Sequence, residues 1–306
     1  MGGTVAGMEA ICARLCLLTR AAWREGLPAP LTRPMVRRML RVGALSDLTL
    51  RRTSDVREEH YARAEALLTR ATEIYHAVEA ARSQGYDVLL PEDALWPVNL
   101  HALGAQMPQF LFARGNLALL GRRAVAVAGS REIGEKTAWL AAACGDALAR
   151  EGYAMVCGGA WGVDTAAQRA FLGRQGALIL VPAFPAGELL RQAYLRDAMA
   201  RGNLLLVCDT WPDEPFSAPK ALSRNHTIYA LGDAAVVVAA RAEKGGTWSG
   251  ASACLRGGYT PLFALHEPGE DFAGNRLLLA RGARPLDLHE PVGAQLFAPG
   301  EDMRCR

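Results

Sequence analysis

Residues 124–131 read Ala124-Val125-Ala126-Val127-Ala128-Gly129-Ser130-Arg131, five apolar residues followed by a glycine, a hydroxyl and an arginine. A short continuous apolar run closed by a turn signal fits a strand of a parallel sheet, buried on both faces. An alanine-rich helix from about Glu135 to Arg150 follows, and the same alternation continues downstream. Strand Tyr153–Cys157 precedes helix Asp164–Gly173, and strand Leu178–Val181 precedes a helix near Glu188–Ala200. Strand Leu204–Cys208 leads, through a loop with Pro212, Pro215 and Pro219, to a helix near Arg224–Leu231. Strands Ala234–Ala239 and Thr260–Leu265 complete the set. Strands separated by helices imply an α/β fold: a Rossmann-like, mostly parallel sheet with helices on both faces.

Upstream of this region the periodicity is helical. From Leu31 to about Arg82 apolar residues recur at three- and four-residue spacing, in Met35, Met39 and Val42 and again in Leu67, Leu68, Ile74 and Val78. Thr32 before Pro34 suits a helix start. Residues 1–27 fit either another helix or a loose tail. Between Gly85 and Gly121 short apolar pieces broken by Pro91, Pro97 and Pro108 read as a strand at Tyr86–Leu90 and connecting structure. The division expected is a small all-α N-terminal domain over 1–84, the Rossmann-like domain over 85–290 and a short C-terminal tail over 291–306.

Composition narrows the function. The 306 residues are 51% hydrophobic, enough for a substantial core, and carry a net charge of only +3. A broad basic face is therefore absent from composition, and any nucleic-acid site must be local. No apolar run is long enough for a membrane span, and residues 1–16 lack the marks of a signal peptide, so a cytoplasmic location and no membrane partner are expected. The seven cysteines are scattered without metal-ligand spacing, which predicts reduced thiols and neither metal nor cofactor.

In an open parallel sheet the ligand crevice lies beyond the carboxyl ends of the strands, and each cluster of interest falls there. Gly129-Ser130-Arg131 could hold a phosphate on backbone N–H groups and the Ser130 hydroxyl with Arg131 beside it, or could be a tight βα turn that needs glycine. Gly158-Gly159-Ala160-Trp161-Gly162-Val163-Asp164 opens a helix with three glycines. Asp164 reads there as a helix cap rather than a catalytic acid. Trp161 reads as packing against the sheet, with base stacking as the alternative. Lys220 and Ser223-Arg224-Asn225-His226 place cations and an amide at a helix start on the same edge, and Lys244-Gly245-Gly246-Thr247-Trp248-Ser249-Gly250 reads as a further phosphate-binding loop. The six histidines lie apart, no nucleophile and base pair off, and no catalytic residue is assigned. The predicted phosphate or DNA contacts are Gly129, Ser130, Arg131, Gly158, Gly159, Lys220, Arg224, Asn225, Gly246 and Thr247.

These pieces, in this order, resemble the DNA-processing protein A family (DprA, also called Smf) from about Gly85 to Pro285. Gly85-Tyr86-Asp87-Val88, Trp96-Pro97, Leu100, and Pro108 with Leu111 through Gly115 match its lead-in elements. Val127-Ala128-Gly129-Ser130-Arg131 is similar to its VGSR, Gly158 through Asp164 to its SGxAxGID, Arg224-Asn225 to its RNR, and Gly274-Asn275-Arg276-Leu277 with Gly282-Ala283 to its GxNxLIxxGA. The resemblance implies a dimerising Rossmann-like protein that binds single-stranded DNA and helps load the RecA recombinase in DNA uptake and recombination, without being an enzyme. By matching position Ser130, Arg131, Arg224 and Asn225 line its cleft. Gln168 stands where the family usually has His, His226 where it has a third basic Arg, and Gly246-Thr247 where it has Ser-Gly; the end at Arg306 leaves no room for the winged helix that many members carry. Two alternatives differ in class. Gly245-Gly246-Thr247 resembles part of the PGGxGTxxE motif of LOG-like nucleotide phosphoribohydrolases, with Lys244 in place of the proline and Ser or Gly where the catalytic Glu belongs. A DprA relative turned regulator or antitoxin in a defence system is the other.

Overall fold

The computed structural model describes residues 5–22, 24–40 and 56–297. Among the described residues four helices, α1 (Val5–Leu18), α2 (Arg33–Leu40), α3 (Glu58–Leu68) and α4 (Ala71–Ser83), precede the sheet. Val42 and residues 298–306 of the expected tail lie outside the described residues. Leu17, Leu31, Val36, Met39, Tyr61 and Leu67 form a small helical core, while Leu15, Cys16, Ile74 and Val78 on α1 and α4 join the core of the sheet. Arg70 is fully buried where these helices meet, and its guanidinium donates to the carbonyls of Ala21, Cys16, Thr19 and Leu67.

The sheet contains β1 (Tyr86–Leu89), β2 (Leu111–Gly115), β3 (Ala124–Ala128), β4 (Ala154–Cys157), β5 (Ala177–Leu180), β6 (Leu204–Cys208), β7 (Ala234–Val237), β8 (Leu262–Leu265) and β9 (Arg284–Leu286). Its order is β1-β2-β6-β5-β4-β3-β7-β8-β9; β1, β2 and β6 pair antiparallel and the rest parallel. Between them run α5 (Glu135–Arg150), α6 (Val163–Gly173), α7 (Ala193–Ala200), α8 (Ala218–Leu231), α9 (Gly245–Gly257) and α10 (Ala273–Ala280), and α11 (Val292–Leu296) lies within the expected tail. Alternation builds two cores. Val125, Val127, Met155 and Leu178 face the layer with α5 and α6, whereas Ala126, Val156, Ile179 and Val237 face α8, α9 and Leu278 of α10. The Rossmann-like α/β fold expected from the sequence is present.

Two local readings are corrected. α8 starts at Ala218, six residues ahead of the expected start at about Arg224, with Pro219 in its first turn, because a proline's missing donor costs nothing there and Ser217 caps the turn. Lys244 through Gly250 is not a loop: Lys244 is the N-cap of α9, Gly245 turns the chain into it with φ of 82°, and Gly246 and Gly250 lie within the helix. Gly250 makes this packing feasible, since a Cβ there would lie 2.8 Å from Cε2 of Tyr229 on α8.

Candidate nucleic-acid interface

The sheet order reverses direction between β3 and β7, the switch point where a crevice opens at the carboxyl ends of the strands. A groove of about 830 Å³ lies there and extends between α8 and α9. It is lined by Gly129, Ser130 and Arg131 after β3, Gly158 after β4, Arg224 and Asn225 of α8, and Gly246 and Thr247 of α9, so eight of the ten sequence-predicted residues converge.

Most of those eight are structural fittings of the groove. The Ser130 N–H donates to the Ala239 carbonyl at 2.9 Å, and its hydroxyl donates to the same oxygen at 3.3 Å, so neither is free for a phosphate. Nor does a helix begin at Ser130, since α5 starts at Glu135 with Gly134 as its N-cap. Gly129 is a packing residue: a Cβ on it would lie 2.4 Å from Cγ2 of Val163. The Thr247 hydroxyl donates to the Gly129 carbonyl at 2.8 Å and Asn225 Nδ2 to the Gly246 carbonyl at 3.1 Å, which ties α9 to β3 and to α8. Arg224 is 4% exposed and its Nη1 donates to the Val181 carbonyl at 2.5 Å. Burial lowers its pKa, opposed by the charges of Asp164 and Asp209.

Asp164 is buried but is not the cap expected from the sequence. Gly162, with φ of 82°, is the N-cap of α6, and Asp164 Oδ2 instead accepts from the N–H groups of Gly158 at 3.0 Å and Ala160 at 3.2 Å. It folds the glycine loop from within the helix. Burial raises its pKa from 3.8 to about 6 against the pull of those bonds and of Arg224.

Lys220 and Gly159 are not groove residues. Lys220 is buried with Nζ donating to the Glu214 carbonyl at 2.7 Å, and Gly159, at φ +74°, lies against Leu189. Gln168 points into the core, donating to Cys157 Sγ and accepting from the Tyr194 hydroxyl, both at 3.3 Å. His226 contacts Gln106. Trp161 does not pack on the sheet: it is 75% exposed.

The groove gains residues that no motif had flagged. Six cationic and three acidic side chains line it, an excess as large as the net charge of +3 on the whole chain. The Glu132 carboxylate pairs with Arg241 at 2.6 Å and Glu243 with Arg281 at 3.3 Å. Arg131, Lys244 and Arg256 remain exposed, with no hydrogen bond or ion pair among the described residues. Lys244 caps α9 with no side-chain acceptor and no acid in the first turn, so this positive helix end faces the groove without an anion. Phe216 is 50% exposed at the rim with the Arg131 guanidinium 5.7 Å from its ring centre. Arg256 falls eleven residues after Gly245, on the same face of α9, a relation invisible while the glycines were read as a loop.

Fold and groove together define a doubly wound α/β protein with a cationic crevice at its topological switch point. A sequence profile of the DNA recombination-mediator protein A family matches residues 87–295, and the chain belongs to that family. It is 31% identical over 238 residues to the putative DNA processing protein DprA of Mycobacterium tuberculosis, covering 71% of this chain but only 60% of that relative's length. DprA from Streptococcus pneumoniae shares the fold with a TM-score of 0.70 at 22% identity, over 94% of this chain and 95% of that one. DNA processing protein A from Helicobacter pylori does so with a TM-score of 0.58 at 24% identity, over 69% of this chain and 95% of that one.

Proposed function

We propose that the groove binds single-stranded DNA through its phosphates and unpaired bases, without catalysis. The observation that carries this reading is the set of three uncompensated cations lining the groove, Arg131 and Lys244 near the start of α9 and Arg256 in its last turn. Such a set attracts a polyanion regardless of its sequence. Exposed Phe216 and Trp161 offer flat surfaces to unpaired bases and none to a closed duplex. The Helicobacter pylori relative is described by its single-stranded DNA binding mode, which agrees with this reading. The acidic groups of the groove are engaged in ion pairs or, for Asp164, in holding a loop, which favours binding over hydrolysis of a nucleotide. In this proposal residues 1–84 form a helical unit beside the DNA-binding unit of 85–290, and the protein works in the cytoplasm as a homodimer that passes strands to a RecA recombinase.

Filter binding of oligo-dT against duplex over a salt series tests the central claim. Log affinity for the single strand falls linearly with log salt, by roughly 0.7 per phosphate neutralised. Salt-independent binding, or none, removes the proposal. Sedimentation and a RecA pull-down test the dimer and the partner.

A further inference from the structure

Arg33 on α2 lines no part of the groove, yet its guanidinium fork reaches two residues that hold the α8 wall. Its Nη2 pairs with the Asp209 carboxylate at 3.0 Å and donates to the Asp209 carbonyl at 3.2 Å, just past the end of β6. Its Nη1 donates to the Gln106 carbonyl at 3.0 Å, on the segment between β1 and β2. Arg37, one turn along α2, adds a bond to the Gly104 carbonyl at 2.5 Å. Both residues held by Arg33 pass the link on to α8. Asp209 Oδ2 also accepts from the Thr227 hydroxyl at 2.9 Å, and the Gln106 side chain contacts His226. One side chain of the N-terminal helices is thus linked twice to adjacent residues of α8.

The opposite flank of α8 belongs to the groove. Thr227 follows Asn225 by two positions, about 200° around the helix. It therefore faces away from the Asn225 amide that holds Gly246 of α9. α8 is gripped from both sides, by α9 across the groove and by Asp209 behind it. Asp209 is 4% exposed, Thr227 is fully buried, and Arg33 is the one cation within ion-pair reach of Asp209 among the described residues. Lifting α2 away would leave a buried carboxylate without its cation beside α8, a state far costlier than the paired one. The seating of α2 and the position of α8 are for this reason not independent.

We infer that Arg33 and Asp209 are positioning residues that couple the N-terminal helices to the groove: a seated α2 holds α8 in the strand-binding position, and a strand in the groove in turn tightens α2. Such coupling is reciprocal by thermodynamic necessity. The inference rests on the single-strand reading above and adds a control point to it, since a partner that displaces α2 loosens the grip on DNA.

The test uses the full chain with oligo-dT, reading hydrogen exchange in peptides of α2 and α9 and affinity over a salt series. In the parent, oligo-dT slows exchange in α9, which lines the groove, and also in α2, by roughly fivefold or more, the lower end of common coupling factors. Arg33→Met keeps the slowing in α9, loses it in α2 and weakens oligo-dT several-fold with an unchanged salt slope, because no phosphate contact is removed. Thr227→Val, which removes no charge, gives part of that loss and adds little on the Arg33→Met background, since Arg33 stands at the head of both links. An α2 whose exchange ignores oligo-dT in the parent overturns the coupling. So does slowing that survives in α2 of Arg33→Met, a salt slope that falls in that variant, or losses that simply add in the double variant. If oligo-dT slows exchange in neither helix, the single-strand reading itself fails; if it does so in α9 alone, only the coupling is lost.

Discussion

The guanidinium of Arg224 occupies the space that a side chain at position 158 would need: a Cβ on Gly158 would lie 2.1 Å from Nη1 and 3.1 Å from Oδ2 of Asp164. Two motifs 66 positions apart are thus one packing unit, in which the glycine admits the arginine and the arginine braces the end of β5 through the Val181 carbonyl. Gly158→Ala should displace the guanidinium and cost about 1–3 kcal/mol, the range for stranding a buried charged donor. Arg224→Met removes the obstructing atom. In a double-mutant cycle followed by denaturant unfolding, the alanine should therefore cost clearly less on the methionine background than alone; strict additivity would refute the coupling.

That unit also shows what was legible in the sequence and what was not. β3, α5 and β6 could be read to within a residue because uninterrupted apolar runs and a long alanine-rich segment are local signals. The groove's place was legible too, since it follows from strand topology alone. The roles of individual residues were not. Arg224 and Lys220 carry the charge that a phosphate site needs, yet partners at Val181 and Glu214 hold them in the interior. α9 was hidden because Gly245 and Gly246 are poor helix formers, and only its packing on α8 overrides that propensity. Arg281 enters as the C-cap of α10 and Arg241 from the segment that follows β7, and nothing in their immediate sequence marks them.

Asp164 predicts a pH dependence of stability. Its folded pKa of about 6 lies above the ordinary 3.8, so the fold binds its proton more tightly than the unfolded chain does. Its contribution is fully present below about pH 3.8 and is lost as pH rises through about 6. Asp164→Asn keeps an acceptor for the Gly158 and Ala160 N–H groups without a buried charge. Relative to the parent, this variant should gain stability between pH 4 and 7 by an amount on the order of 2 kcal/mol. A parent-minus-variant difference that stays flat across that range in urea titrations would sink the assignment.

Arg131 and Lys220 should separate binding from folding. Arg131 is exposed at the groove, whereas Lys220 is buried on a backbone carbonyl, where burial lowers its pKa. Arg131→Ala is expected to leave the melting curve unchanged and to reduce the salt slope of oligonucleotide binding by about 0.7. Lys220→Met should lower stability by roughly 1 kcal/mol and keep the slope. The reverse pattern would return Lys220 to the DNA site.

Trp161 supplies the last contrast. Its side chain is 75% exposed on the loop between β4 and α6, and the neighbouring Ala160 lines the groove. A large aromatic held in water does little for the fold, so Trp161→Ala should change unfolding free energy by less than about 0.5 kcal/mol. If the ring receives a base from a strand lying in the groove, the same substitution weakens oligo-dT binding by roughly 1–3 kcal/mol, the range of a base stacked on an aromatic ring. That loss is non-electrostatic, so it should persist at high salt, where the contribution of Arg131 has been screened away. Binding unchanged by Trp161→Ala at every salt concentration would place the strand's path elsewhere, along Phe216.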